Sequence, residues 1–190
     1  GVEQAAGLPD TPEAGDFASA WASATPDGQE EWLVLHYDKP VIPQAVHVYE
    51  SNHPGAVCRV SVFTAEGREM NVWSGEDPTP ESESRGVSEI PLRLDYPIDT
   101  VKIVIDSMNH EGCNAIDAVG LVDEAGKTHW AVDAQASSSF ADAIQFDSDD
   151  NGYLYPTDRS LVSFDRLTGS QEAVSEMKQT ANSSVGTDRS

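Results

Sequence analysis

Between residues 31 and 122 the chain is a succession of short apolar runs separated by turn-forming residues, and no run has the length or the 3.6-residue period of a helix. The runs cover residues 32–37, 45–50, 57–64, 70–74, 87–94, 100–106 and 115–123. Val46, Val48, Val60, Val62, Val101, Ile103 and Ile105 are β-branched and alternate with other residues, the pattern of strands with one buried face. Seven strands of this kind predict an all-β sandwich or barrel.

Antiparallel strands reverse direction at each connection, so alternate connections fall at opposite ends of the sandwich. The short connections 38–44, 65–69 and 95–99 share one end. The segment before Trp32 and the longer connections 51–56, 75–86 and 107–114 share the other, which is the expected working face because loops on a rigid scaffold carry recognition. Cys58 and Cys113 fall at that same end. A disulfide between them is geometrically allowed and would contribute about 3–4 kcal/mol in the chain-entropy model; two small buried thiols are the alternative. Zinc held by His53, His110 and the cysteines is a weaker reading, because no local ligand-pair spacing occurs.

With 190 residues and 38% apolar content, the chain has material for one core and an appendage. No stretch approaches the roughly 18–20 apolar residues of a membrane span, so no membrane insertion is expected. Asp and Glu number 33 against 11 Lys and Arg, a formal charge of −22 that repels phosphate backbones and argues against nucleic acid as a partner. The first residues, Gly1-Val2-Glu3-Gln4, lack the basic and apolar regions of a signal peptide, so a mature form or an excised fragment is expected.

Several runs together resemble the discoidin-like, galactose-binding-like (F5/8 type C) superfamily. They are Ala6-Gly7-Leu8-Pro9-Asp10-Thr11, Gly15-Asp16, Ala20-Trp21, Glu31-Trp32-Leu33-Val34-Leu35 and Lys39-Pro40-Val41. Val48-Tyr49-Glu50, Asn52-His53-Pro54-Gly55-Ala56-Val57, Trp73-Ser74-Gly75-Glu76 and Asn114-Ala115-Ile116-Asp117-Ala118-Val119 are similar to a branch found in large secreted bacterial proteins. The resemblance spans residues 4–122. It implies an antiparallel jelly-roll β-sandwich in a secreted, extracellular protein, serving as a binding module for glycans or cell-surface proteins beside neighbouring domains of a larger chain. It also implies a Ca²⁺ beside the N-terminal loop, where Asp10 and Asp16 are the candidate acids. Two departures are Cys113, where the family would place a Trp, and Ala115, where it would place a Glu. The family's opening strand has no counterpart before Gly1, and the Ser-rich stretch 134–140 either supplies it or opens a second repeat.

Residues 147–158 resemble an EF-hand calcium loop. Asp147, Asp149 and Asn151 stand at the oxygen-ligand positions 1, 3 and 5, Gly152 at the sharp turn, Tyr153 at the backbone-carbonyl position and Asp158 at position 12. Asp in place of Glu at position 12 shortens the last ligand. Phe140, Ile144 and Phe146 would lie on a short helix leading in, and Leu161, Val162, Phe164 and Leu167 on one leading out. An Asp-rich turn without metal is the alternative. The expected organisation is a sandwich over 1–124, a linker or extra strand over 125–140, a short helical calcium-binding extension over 141–168 and a polar, disordered tail over 169–190.

At the long-loop end, Trp21, Asn52, His53, Asn109, His110 and Asn114 are candidates to converge on a ligand. Amides and imidazoles suit sugar hydroxyls, and an aromatic face suits the C–H side of the ring. Glu76, Asp77, Glu81 and Glu83 share a Pro/Ser-rich loop in which nothing in the sequence would separate the pKa values of a glycosidase acid pair. No G-x-S-x-G, H-E-x-x-H or P-loop occurs. The expectation is therefore a non-catalytic binder; a structural spacer or an accessory domain of a hydrolase is the alternative.

Overall fold

The computed structural model describes residues 1–143, 146–148 and 154–156. Nine strands form one curled, antiparallel sheet: β1 (Trp21–Ala22), β2 (Glu31–Val41), β3 (Pro43–Asn52), β4 (Val57–Phe63), β5 (Glu69–Ser74), β6 (Gly86–Pro91), β7 (Ile98–Ile105), β8 (Ala115–Asp123) and β9 (Thr128–Ala136). The order across the sheet is β5-β4-β7-β2-β9-β8-β3-β6, with β1 added to β8. Among the described residues helix is confined to a 3-10 turn, Val2–Ala5, and one α turn, α1 (Phe140–Ala143). The chain is thus all-β over its described residues, and each of the seven expected strands is present.

Period-two alternation explains the core. On β2 Leu33, Leu35 and Tyr37 point inward between half-buried Trp32, Val34 and His36. On β3 the inward row is Val46, Val48 and then Glu50, so the alternation itself drives a carboxylate into the interior. Val60 and Val62 of β4, Ile90 of β6, Val101, Ile103 and Ile105 of β7 and Val119 and Leu121 of β8 complete one contiguous cluster. Each fully buried branched side chain contributes about 1.5–3 kcal/mol.

β9 joins the two halves of the sheet. Thr128–Trp130 pair with Val122–Gly120 of β8, and Ala131–Ala136 then pair with Tyr37–Leu33 of β2. The strand therefore begins six residues earlier than the Ser-rich stretch 134–140. A register shift beside Tyr37 disturbs its alternation, and its buried side chains are only Ala131 and Ala134. On the outer face, Ala118 and Gly120 of β8 leave room for Tyr49 of β3 and Trp130 of β9, whose rings meet edge-on at 5.4 Å.

The residues beyond Ala143 form a separate unit. Within it, β10 (Phe146–Ser148) pairs antiparallel with β11 (Leu154–Pro156). Phe146 and Asp147 thus lie on a strand, where the calcium-loop reading expected a helix end. Asp149, Asn151, Tyr153 and Asp158, the expected outgoing helix and the tail 169–190 lie outside the described residues.

Candidate functional site

The long connections meet at one end of the sheet, as strand parity requires, and they are fastened to each other through side chains. Asn52 Nδ2 donates to the Cys113 carbonyl at 2.9 Å, and Asn114 Nδ2 donates to the His53 carbonyl at 2.6 Å. The two amides form a reciprocal clamp between the 53–56 and 106–114 connections. Gly112 N–H donates to Asp27 Oδ1 at 3.0 Å, and the Ser107 hydroxyl donates to the Gln29 carbonyl, which ties in the 23–30 connection. His110 Nδ1 lies against Glu81 Oε1 at ion-pair distance, though out of hydrogen-bond alignment, and so reaches the 75–85 connection.

On this frame His53 and Asn109 are exposed and His110 is half-buried. His53 sits at φ +43, in the left-handed region, and its ring covers Gly112 so closely that a Cβ there would fall 2.6–2.8 Å from the ring atoms. Gly112 itself has φ +99, so glycine serves both the turn and the imidazole. Asn109 Nδ2 donates to both Asp106 carboxylate oxygens at 2.9 Å. Met108, 58% exposed, supplies apolar surface at the tip. The rim is thus made of His53, Met108, Asn109, His110 and Glu81.

Three candidates do other work. Trp21 is 1% exposed and its indole N–H donates to the Ser138 carbonyl at 3.0 Å, so it belongs to the core and offers no stacking face. Asn114 is buried and Asn52 half-buried, and both act as ties between loops. Among the described residues, Asn114 Oδ1 and Ser51 Oγ are buried without a hydrogen-bond partner.

No disulfide joins Cys58 and Cys113. Burial raises the pKa of the Cys58 thiol, aided by Asp106 and Glu30, and its Sγ lies 3.4 Å from the Val104 carbonyl. Among the described residues no three His, Cys, Asp or Glu side chains are grouped closely enough to hold a metal. At the N-terminal loop Asp117 is an anchoring acid. Its carboxylate accepts the N–H of Asp10 at 3.3 Å and of Thr11 at 3.2 Å, and the Thr11 hydroxyl at 2.8 Å. The Asp10 side chain faces solvent.

Beneath the rim lies a polar cluster that the sequence did not disclose. The Ser88 hydroxyl of β6 is 2.7 Å from Glu50 Oε2, 2.8 Å from Thr79 Oγ1 and in close contact with Asp77 Oδ1. Asp77 also accepts the N–H of Val57 at 2.8 Å and of Thr79 at 2.9 Å. Gly55 N–H donates to Glu50 Oε1 at 3.3 Å. Burial, and secondarily the charge of Asp77, push the Glu50 carboxyl up to about 8. The sequence showed no reason for the acids of the 75–86 loop to diverge from a partner; the reason is Glu50, distant in the chain and delivered by strand alternation. A second buried carboxylate, Glu31, accepts from Gln29 Nε2 at 3.1 Å and from the hydroxyls of Ser138, at 2.8 Å, and Ser137.

A groove of about 520 Å³ lies at the opposite end against Pro40, Ile42, Asp123 and His129. It is shallow, and His129 Nε2 is already engaged with Asp123 Oδ2 at 2.8 Å.

No family model matches the chain. Among curated proteins, F-box/LRR-repeat protein 4 of Bos taurus is 30% identical over 103 residues, a similarity covering 48% of this chain and 16% of that protein. The chain therefore parallels only a small part of that relative.

Proposed function

We propose that the protein is a non-catalytic binding module, a discoidin-like jelly-roll sandwich that engages a glycan through its long-loop end. The observation that carries this reading is the reciprocal Asn52 and Asn114 clamp, which presents His53, Asn109 and His110 together on a fixed frame. Their imidazole and amide groups donate and accept hydrogen bonds as sugar hydroxyls require. Trp21 is buried, so the apolar contact falls to Met108 and the imidazole faces. The acids at this end support the non-catalytic reading, since Glu50 is buried and Asp77 is committed to backbone N–H groups. Calcium at residues 147–158 is part of the proposal and rests on the oxygen side chains of Asp147, Asp149 and Asn151.

A glycan array probed with the full chain tests the reading. Saturable binding weakened about tenfold by His53→Ala or His110→Ala, the size of one lost hydrogen bond, is the expected outcome. An array without hits, or hits indifferent to both substitutions, would overturn it. Calorimetry with Ca²⁺ tests the metal separately: heat that disappears in Asp149→Ala supports the loop assignment, and the absence of heat removes it.

A further inference from the structure

The cluster beneath the rim contains more acceptors than its hydroxyl can serve. Ser88 has one proton and two lone pairs, yet its oxygen meets Glu50, Asp77 and Thr79 at once. Thr79 can approach as donor or acceptor. The two carboxylates cannot both be acceptors, because the single Ser88 proton satisfies one of them and leaves the other facing a lone pair. One carboxyl must therefore bring its own proton.

Asp77 is the wrong place for it. Its two oxygens already accept the N–H groups of Val57 and Thr79, which favour the charged form, and it is half-buried. Glu50 is 5% exposed and accepts one backbone N–H, at 3.3 Å, where Asp77 accepts two. The proton belongs on Glu50, which then donates to Ser88 while Ser88 donates to Asp77. Of the elements around Glu50, β6 and β8 place uncharged Gly86 and Ile116 opposite it in register. The 53–56 connection contributes exposed His53, and the 75–85 connection contributes Asp77 and exposed Glu81. Asp77 is the ionisable group that acts on it.

We propose that Glu50 is a protonated latch: in its acid form it holds the 75–85 connection against the 53–56 connection, and loss of its proton releases the 75–85 connection. Ionised Glu50 and Asp77 would confront each other across one hydroxyl, and the mobile partner is Asp77, carried on a loop. As Asp77 leaves, the Val57 and Thr79 N–H groups lose their acceptor. Glu81, which packs over Gly55 and meets His110, moves with the same connection, so the rim comes apart. This consequence for ligand binding rests on the rim reading; the latch itself does not.

Amide hydrogen exchange of the full chain between pH 6 and 9.5, corrected for intrinsic exchange, tests the latch without any ligand. Opening at Val57, at Thr79 and across 81–86 should rise by up to about tenfold per pH unit once Glu50 ionises. Carbon-13 titration of the Glu50 carboxyl should share that midpoint, and Glu50→Gln should keep the loop closed throughout. Equal opening in wild type and Glu50→Gln, or a Glu50 carboxyl titrating with the exposed glutamates, would overturn the proposal. So would opening caused by EDTA at pH 7, which would mean that a cation, not a proton, joins the acids. Should Glu50→Gln not fold, Asp77→Asn decides: the Glu50 midpoint must fall when the neighbouring charge is removed, and an unmoved midpoint ends the idea. Failure of the latch leaves the glycan-array result intact, and an empty array leaves the exchange result intact.

Discussion

The two ends of the sheet are built by different means. At the short-loop end two turns are closed by their own main chain: Gly67 N–H donates to Thr64 O at 2.8 Å and Gly126 N–H to Asp123 O at 2.9 Å, with both glycines at φ +78. Asp123 caps its own hairpin by accepting the N–H groups of Ala125 and Lys127 and the His129 ring. At the long-loop end the ties reach across the chain, from Asn52 to Cys113, from Gly112 to Asp27 and from Ser107 to Gln29. Local turns survive as long as their own residues do. Long-range ties exist only while the sheet is assembled, and several pass through one buried acid cluster, so this end can loosen as a unit.

The largest expected effect separates the ends by pH. Glu50 is raised in the folded state, so its contribution is fully present below its ordinary value of 4.5 and is lost as pH rises toward about 8. Unfolding free energy should fall over that window by an amount on the order of 4 kcal/mol, and urea titrations should lose this slope in Glu50→Gln. Parallel profiles for the two proteins would erase the distinction between the ends. Asp77→Ala comes next, costing about 2–4 kcal/mol because two backbone N–H groups lose their acceptor. Exchange should localise its damage to Val57, Thr79 and their neighbours, with the 123–127 turn untouched.

Gly126→Ala is the matching change at the short-loop end. Nothing lies near its Cβ position, so the cost is that of the left-handed backbone alone, about 1 kcal/mol. A larger loss measured by thermal unfolding would mean that this turn is also tied at long range. The smallest effect is on the acid side. The His129 contact, followed by the Lys127 N–H, depresses the Asp123 carboxyl, so its contribution is present above 3.8 and is lost as pH falls through the lowered value. Exchange at Ala125 and Lys127 should therefore quicken in acid while Val57 and Thr79 stay protected. The short-loop end loosens in acid and the long-loop end in alkali.

The sequence revealed seven of the nine strands because branched residues on β3, β4 and β7 recur at alternate positions, and the parity of the connections identified the end where loops converge. It left β9 open, as a linker or an extra strand over 125–140, because the strand's inward positions are alanines and its alternation is broken by a register shift. Trp21 is a candidate ligand face by residue type, yet it lies on a two-residue strand paired with β8 and is buried. His53 and Asn109 reach the rim, whereas Asn52 and Asn114 serve it from behind. Glu50 was within reach, since it continues the inward row of Val46 and Val48. Its partner Asp77 was not, because only tertiary closure brings that loop to β3.

The place of β9 between β2 and β8 governs how the chain is made. During synthesis the first 127 residues emerge with β2 and β8 each lacking a neighbour on the side that β9 later fills. Until residues 128–136 leave the ribosome the sheet is two halves with open inner edges, and those edges can pair with another nascent chain. The last strand of this sheet to be made is therefore the one that ends the exposure, and a polypeptide terminated at residue 127 would retain it permanently.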